Sequence, residues 1–425
     1  MKISVVVPTF NRKQRVLQTL ETLFRQSCAP EDYEIIVVVD GSTDGTAEVV
    51  RALQPACGFT IVEQRNQGLA AARNSGFRAS HADVVLFLDD DMLCDTRLVE
   101  EHLKAHAEGP VVVLGTILVS TESARTLATE CIAREWSPES MVLRPDATWQ
   151  EIPFVFGNTS IARDLLEATG GFDERFLMRE DLELGYRLLQ RGAKYRAVPA
   201  AISHHAYDKT ASRLLRDAEA FAVSDVLFAQ MHPENRVKGQ LNWLTAQPAG
   251  KLKALELAMA LGWLADPALS VVCLACETGT GIPMLREAGI RALQMRRRLR
   301  WFTRVLQQTQ NAHRVRALVL LRLAHTAIWA FFVAAILAIP VAGALGRFQL
   351  ASWLTVIVLG ECMALAFNHW HCPISNLANK LTDDRTPNYD IYLPAWLARK
   401  NTQIFGTLFV LSLLMLAEEW WRHSR

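Results

Sequence analysis

The chain lacks any strong excess of charge and any framework of cysteines. Its 425 residues include 45 basic and 44 acidic side chains, a formal net charge of +1, which gives no global argument for binding to nucleic acid. The eight cysteines are scattered, and the CxxC pair formed by Cys273 and Cys276 has no second pair to complete a zinc site. We therefore expect free, packed cysteines in a reducing compartment.

No secretory leader is expected either, because Met1 is followed almost directly by a short apolar run, Ile3–Val7, that Pro8 ends. Similar runs recur at 33–39, 59–63 and 84–88, and segments of helical periodicity separate them. Strands that alternate with helices predict a parallel sheet with right-handed crossovers. The first half of the chain is therefore predicted to be an α/β, Rossmann-like nucleotide-binding domain.

Three consecutive carboxylates, Asp89, Asp90 and Asp91, follow the apolar run Val84–Leu88. Ligands of open α/β sheets bind at the carboxyl ends of such strands, so the triplet lies where a ligand is expected. Adjacent carboxylates repel one another unless a cation or solvent compensates them. Oxygen ligands of this kind suit Mg²⁺ or Mn²⁺. The alternative is an acidic, solvated turn that ends a strand.

Several segments of the first half resemble, in the same order, motifs of the family 2 glycosyltransferases, which have the GT-A fold. These segments are Val5–Arg12, Asp40–Gly45, Asn66–Asn74, Leu88–Asp91, Gly157-Asn158, Gly170–Phe176, Glu180–Leu188 and His204 or His205. Each motif alone is weak, whereas their joint order is specific. The resemblance implies a GT-A domain that binds a nucleotide sugar.

The resemblance also implies a donor site around the acidic triplet. Asp91 would be the direct metal ligand, Asp89 would lie near the ribose or the waters of the metal, and His204 would cap the metal site. A metal there, Mg²⁺ or Mn²⁺, would bridge the two phosphates of the donor as a Lewis acid. The other residues expected to line the donor site are Pro8, Thr9, Asn11, Arg12, Asp40, Arg73, Asp90 and Asn158.

Some of these assignments have plainer alternatives. Arg73 could be an exposed helix arginine instead of a contact to base or phosphate, and His204 could be a solvated loop residue. The family often has two acidic residues before the Gly-Ser turn, whereas this chain has Val39 before Asp40. Asp40 alone is therefore expected to contact the base.

The acceptor side is expected at the start of a predicted helix, where Glu180 and Asp181 precede leucines at helical spacing. An inverting transferase needs a carboxylate that takes the proton from the acceptor hydroxyl. By the resemblance, Asp181 would be that base, and Glu180 would support it or touch the donor sugar. The alternative is that both carboxylates only compensate the helix dipole.

The second half of the chain is strongly apolar. Two segments, 324–345 and 350–367, are long enough to span a bilayer, and 404–417 is marginal. The segment Leu252–Cys276 is too interrupted for a span and is expected to pack on the domain or lie at the membrane interface. Arginines between 291 and 304 are typical of a cytoplasmic flank. The alternative is a soluble all-α core.

These patterns predict three parts: a GT-A domain over 1–215, a helical linker or interfacial region over 216–316, and an all-α membrane region over 317–425 with two to three spans. The cluster of His369, His371 and Cys372 lacks an obvious fourth metal ligand and is not expected to bind metal.

The function predicted from the sequence is that of a membrane-anchored, metal-dependent, inverting glycosyltransferase. Its donor would be a nucleotide sugar, UDP-linked as the first choice, and its acceptor a glycan, a lipid-linked molecule or another hydroxyl compound. The catalytic domain would be cytoplasmic, at the inner or plasma membrane. A sugar nucleotidyltransferase is the first alternative, although Pro8–Arg12 lacks the glycines of a phosphate loop. A catalytically silent, nucleotide-binding membrane scaffold is the second.

Overall fold

The computed structural model describes residues 2–107, 109–123, 126–135, 156–233, 249–278, 282–369, 372–382, 384 and 386–424. The chain divides into two compact units. The first comprises Met1–Pro248 and Trp263–Gln308, and the second comprises Ala249–Gly262 and Thr309–Arg425. The boundaries after residues 215 and 316 stay predictions.

The first unit is built on one eight-stranded mixed sheet in the order β3-β2-β1-β4-β7-β6-β8-β5. The strands are β1 (Ile3–Thr9), β2 (Tyr33–Asp40), β3 (Gly58–Gln64), β4 (Val84–Leu88), β5 (Met92–Cys94), β6 (Val111–Val119), β7 (Asn158–Ala162) and β8 (Lys194–His205). Its helices up to residue 231 are α1 (Lys13–Leu23), α2 (Thr46–Arg51), α3 (Leu69–Ala79), α4 (Leu98–His106), α5 (Leu127–Glu135), α6 (Arg163–Thr169), α7 (Glu180–Gln190) and α8 (Ala211–Met231).

The remaining helices are α9 (Ala249–Ala260), α10 (Gly262–Thr278), α11 (Pro283–Gln308), α12 (Ala312–Ala344), α13 (Phe348–Phe367), α14 (Pro373–Ala378) and α15 (Ala395–His423).

The predicted alternation of strands and helices is confirmed for the first four strands, which pair in parallel. β1, β2 and β4 are buried along their whole length, because helices cover both faces of the sheet. One detail of the prediction is wrong: β1 continues through Pro8 to Thr9. Its pairing with β4 ends at Val6, opposite Phe87, so Pro8, which has no N–H, lies beyond that ladder.

The other half of the sheet is mixed. β7 is antiparallel to both β4 and β6, β6 and β8 are parallel, and the short β5 is antiparallel to β8. β8 includes His204 and His205, so His204 does not lie in a loop. The pairing with β5 explains this position, because it sets Met92 opposite His205 and Leu93 opposite His204.

Side chains that alternate along the strands fill a core on each face of the sheet. Val6, Ile36 and Phe87 belong to the core on one face. Ile3, Val5 and Leu86 belong to the other. A third cluster contains Leu127, Cys131, Leu214, Cys273, Cys276 and Leu293. Cys273 and Cys276 are buried and free, which confirms the predicted packing role of the CxxC pair.

Three helices of the second unit are long and apolar enough to cross a membrane: α12, α13 and α15, with mean hydropathies of 2.3, 1.9 and 1.5 in their most apolar windows. Each contains one of the predicted segments. Only 28% of the α12 window and 11% of the other two are buried. So many exposed apolar side chains do not suit the alternative of a soluble helical core. Residues 250–260 and 264–277 pass the same test only together, as a pair of helices with a break between them.

Candidate active site

An open cleft lies at the carboxyl ends of β1, β2 and β4, with about 1130 Å³ of empty space. Each of these strands delivers polar residues to it, as expected for an open α/β sheet. The residues that line it include Pro8, Thr9, Arg12, Asp40, Asp89, Asp90, Asp91, His205 and Lys209. The acidic triplet is not a solvated turn, because Asp90 and Asp91 are only 6% and 5% exposed.

Arg12 and His205 contact the buried carboxylates. Arg12 Nη1 donates to Asp90 Oδ1 at 3.0 Å and also to Asp91 Oδ2. On the other side of Asp91, His205 Nε2 lies 2.9 Å from Oδ1. Thr9 Oγ1 donates to Asp90 Oδ2 at 2.7 Å. The repulsion expected between adjacent carboxylates is therefore balanced within the protein.

The pKa values of Asp90 and Asp91 are shifted in opposite directions. Burial raises the pKa of Asp90 to about 6, although the charge of Arg12 opposes the shift. Burial also acts to raise the pKa of Asp91, but His205 and Arg12 hold that pKa well below its usual range. Asp91 is therefore the member of the pair that keeps a full negative charge, which is the state a metal ligand requires.

Arg73 joins the triplet to helix α7. Its Nη1 donates to Glu180 Oε1 at 2.7 Å, and its Nη2 donates to Asp89 Oδ1 at 2.9 Å. The guanidinium lies over the ring of Phe172, 5.5 Å from its centroid, and the residue is 2% exposed. The alternative of an exposed helix arginine is therefore wrong. One buried cation holds two carboxylates that are distant in sequence.

Glu180 and Asp181 open α7, as the sequence predicted. Burial, and then the charge of Asp181, raise the pKa of Glu180 to about 7 against the opposing charge of Arg73. Burial also raises the pKa of Asp181, which remains partly exposed. Asp181 Oδ1 accepts a hydrogen bond from the backbone N–H of Leu182 at 2.7 Å. The N-cap of α7 is Arg179, and no side chain in the described part of the chain caps the helix, so any role of Asp181 in helix stability is limited to the helix dipole.

On the side of β1 and β2, hydrogen bonds between turns stabilise the wall of the cleft. Thr43 N donates to Asn11 Oδ1 at 2.7 Å, and Asn11 N donates to Ser42 Oγ at 3.0 Å. Asp40 accepts from the backbone N–H groups of Gln67 and Gly68, both at 2.9 Å. The carboxylate of Asp40 thus fixes the turn before α3 while it lines the cleft.

Gly41 allows the close approach of these two turns. Its φ is +74°, and a Cβ added there would lie 2.5 Å from the backbone nitrogen of Asn66. Only glycine fits both the conformation and the space.

Asn158 lies away from the cleft lining. Its Oδ1 is 2.9 Å from His102 Nε2, and its Nδ2 donates to Ala201 O at 3.0 Å and Ser203 Oγ at 3.1 Å. The residue is 1% exposed, so its amide ties β7 to β8 and α4. The amide of Asn158 is hydrogen-bonded to these structural groups, and the contacts do not support a role for Asn158 in donor binding.

The two adjacent histidines differ in position from the prediction. His204, the predicted metal residue, directs Nε2 to Asp95 Oδ1 at 3.3 Å, whereas His205 contacts Asp91. Neighbouring residues of a strand face opposite sides, which explains the difference. Sequence reasoning also missed Lys209, which lines the cleft and donates to Asp217 Oδ2 at 2.7 Å. In the sequence, only the His-His-x3-Lys spacing pointed to His205 and Lys209.

The possible metal ligands around Asp91 are too few to hold a divalent metal without further ligands from the substrate. The described residues contain no group of three or more His, Cys, Asp or Glu side chains placed to hold a metal. They do bring together one carboxylate oxygen and one imidazole nitrogen, Asp91 Oδ1 and His205 Nε2. Mg²⁺ is typically held by one or two carboxylates plus substrate phosphates, and imidazole is an accepted ligand of transition metals. A pair of this kind fits a metal that a diphosphate completes.

The mixed sheet, with an acidic cleft at the carboxyl ends of its parallel strands, defines a domain of the GT-A class of nucleotide-sugar transferases. Residues 4–170 match the family model of Glycosyl transferase family 2. This match confirms the resemblance found in the sequence.

Among named relatives, the chain is 35% identical over 234 residues to validoxylamine A glucosyltransferase of Streptomyces hygroscopicus subsp. limoneus. The match covers 48% of this chain and 50% of that protein, so the chain spans about half the length of this relative. Chondroitin synthase of Escherichia coli is 30% identical over 236 residues, which cover 48% of this chain and 34% of that protein.

Among solved structures, the mannosyltransferase PcManGT of Pyrobaculum calidifontis, in complex with GDP-Man and Mn²⁺, aligns with a TM-score of 0.48 at 23% identity. That alignment covers 72% of this chain and 87% of that chain.

Proposed function

We propose that this protein transfers a sugar from a nucleotide donor to a hydroxyl acceptor with inversion, assisted by a divalent metal. The observation that carries the proposal is the position of Arg73, whose guanidinium contacts Asp89 after β4 and Glu180 at the start of α7. This contact supports the assignment of Asp89 and Glu180 to one site. A UDP-linked sugar is our first choice of donor.

Asp91 and His205 would hold Mg²⁺ or Mn²⁺, which supplies a Lewis acid to the diphosphate leaving group. Arg12, which already contacts Asp91, would lie beside the same phosphates. Asn11 and Asp40 would form the wall against the nucleoside, and the bonds of Asp40 to Gln67 and Gly68 would keep that wall rigid. Positioning of the donor then supplies much of the rate.

Asp181 would act as the base. The acceptor oxygen forms a bond to the anomeric carbon while the bond from that carbon to the phosphate oxygen breaks. The proton of the acceptor hydroxyl moves to Asp181, and the nucleoside diphosphate leaves with the electron pair. The pKa of Asp181 is raised by burial, which makes its carboxylate a better proton acceptor. Glu180, bound to Arg73, would support its neighbour.

We further propose that α12, α13 and α15 anchor the protein in the inner or plasma membrane, with the catalytic domain in the cytoplasm, where nucleotide sugars are made. The exposed apolar surface of these helices supports this proposal. The acceptor would be a glycan, a lipid-linked molecule or another hydroxyl compound near the bilayer.

The activity is tested by incubating purified full-length protein in detergent with a panel of sugar nucleotides and measuring the release of free nucleoside diphosphate. We expect metal-dependent release with one donor. Pyrophosphate release from a nucleoside triphosphate would instead indicate a nucleotidyltransferase, and no release from any donor would indicate a scaffold.

The membrane location has its own test. We expect the protein to resist extraction by high salt and to require detergent. An impermeant thiol reagent should fail to label a cysteine introduced at Arg25, an exposed position of the catalytic unit, in intact cells. Complete extraction by salt, or labelling from outside, would contradict the proposed anchoring or its orientation.

A further inference from the structure

An apolar cavity lies within the second unit, among helices α12, α13 and α15. Its volume is about 180 Å³, and it is open on one side. Its wall includes Phe332 and Ile336 of α12, Val358 of α13, and Phe405 and Phe409 of α15. An apolar cavity of about 150 Å³ is large enough to bind benzene, so this space can hold a comparable length of hydrocarbon.

The cavity reaches the apolar surface of the unit. Ile328 lines it and is 39% exposed. Gly406 also lines it, and a Cβ added there would meet no atom within 4 Å. If α12, α13 and α15 cross a bilayer, as proposed above, this opening faces lipid. A hydrocarbon chain is then the occupant that the surroundings supply.

One polar group in the cavity, Glu361, is not bonded to any residue of the described part of the chain. Glu361 lines the wall, and among the residues that the structure describes none forms a hydrogen bond or ion pair with it. Two other polar lining residues are already paired: His325 is 3.3 Å from Asp390 Oδ2, and Asn401 Oδ1 accepts from Trp329 Nε1 at 2.8 Å. A carboxyl group in an apolar wall is costly unless it is hydrogen-bonded, so Glu361 selects a ligand that carries a donor.

We propose that this cavity binds the hydrocarbon chain of a lipid alcohol, whose hydroxyl group donates a hydrogen bond to Glu361. A phosphate head group is disfavoured, because it would place a second negative charge beside the carboxylate. The proposal rests on the proposed membrane insertion, and it adds a binding site that is separate from the catalytic cleft.

The test uses full-length protein in detergent micelles and a long-chain alcohol that carries a photoreactive diazirine at the end of its chain. After irradiation, labelled peptides are identified by mass spectrometry. We expect labelling in α12, α13 or α15 that unlabelled long-chain alcohol competes away. A phosphate monoester of the same chain should compete much less well, and better competition by the phosphate would overturn the choice of head group.

Two glycines provide a matched pair of variants. Gly406→Leu fills the cavity and should reduce labelling at least tenfold. Gly360→Leu places the same side chain on α13 outside the cavity, where an added Cβ also meets no atom within 4 Å, and should leave labelling unchanged. Equal labelling of the two variants would overturn the proposed site.

Glu361→Leu tests the hydrogen bond without filling the cavity. We expect an affinity loss of about tenfold, typical of a lost hydrogen bond to a charged group, whereas Glu361→Gln keeps an acceptor and should lose less. Equal affinity of Glu361→Leu and wild type would contradict the role of Glu361. Nucleoside diphosphate release is measured in parallel. Specific labelling without any such release would leave this site standing and overturn the proposed transferase function.

Discussion

His205 Nε2 lies 2.9 Å from Asp91 Oδ1, and the contact depends on the pairing of two short stretches of strand. Asp91 directly precedes β5, and β5 pairs with the end of β8, where Met92 stands opposite His205. A backbone hydrogen bond also joins the two segments, since Ala206 N donates to Asp91 O at 2.9 Å. The carboxylate and the imidazole are therefore positioned by the sheet before any metal or donor binds.

The first prediction uses the adjacent histidines as a matched pair. His205→Ala should weaken Mn²⁺-dependent binding of a nucleoside diphosphate at least about tenfold, the lower end of what supporting residues of metal sites contribute. His204→Ala should leave that binding unchanged, because His204 faces Asp95. Calorimetric titration with and without Mn²⁺ measures both. Equal losses in the two variants would place the metal elsewhere.

The strands of the parallel half could be predicted because their residues form continuous apolar runs, and the triplet was recognised because it follows one of them directly. The choice between His204 and His205 could not be made from the sequence. It depends on where β8 ends, and that end is set by pairing with β5, about 110 residues earlier in the chain. The same limit applies to Asn158, whose partners His102 and Ser203 are close only after folding.

The second prediction concerns Arg73. Arg73→Met should leave Asp89 and Glu180 as uncompensated carboxylates, and removal of one partner from a buried ion pair typically costs about 3–5 kcal/mol. We expect a lower melting temperature in thermal unfolding and loss of sugar transfer. Arg78→Met is the control, because Arg78 lies on the same helix but is exposed. Similar melting temperatures for the two variants would contradict the bridging role of Arg73.

The third prediction concerns pH and stability. His102 is 0% exposed, and burial lowers its pKa to about 4. Between this value and the ordinary histidine pKa of about 6.5, the unfolded chain binds a proton that the folded chain does not, so the free energy of unfolding rises with pH across that window. From pH 7 to pH 5 the contribution of His102 falls by on the order of 2 kcal/mol.

Unfolding of the full-length protein in detergent at a series of pH values measures this loss. His102→Gln cannot titrate and should flatten the dependence between about pH 4 and 6.5, the window set by its two pKa values. His313→Gln changes an exposed histidine and should leave the pH dependence of stability unchanged. An unchanged slope in His102→Gln would mean that other groups cause the acid sensitivity.

The last prediction separates the roles of the carboxylates on α7. Asp181→Asn keeps the shape of the side chain but cannot accept a proton, so kcat should fall by about 10²–10⁴ while donor affinity stays nearly intact. Glu180→Gln should have a milder effect if Glu180 only supports its neighbour through Arg73. Asp91→Ala should show the opposite pattern to Asp181→Asn, with weak metal-dependent donor binding as well as lost transfer.

If Asp181 only compensates the helix dipole, its replacement by Asn should cost at most about 1 kcal/mol and should leave activity intact. Turnover and donor affinity of the Asp181 and Asp91 variants, measured side by side on protein of wild-type melting temperature, distinguish these cases. Near-normal turnover in Asp181→Asn would limit Asp181 to a favourable charge in the first turn of α7 and would require a different base.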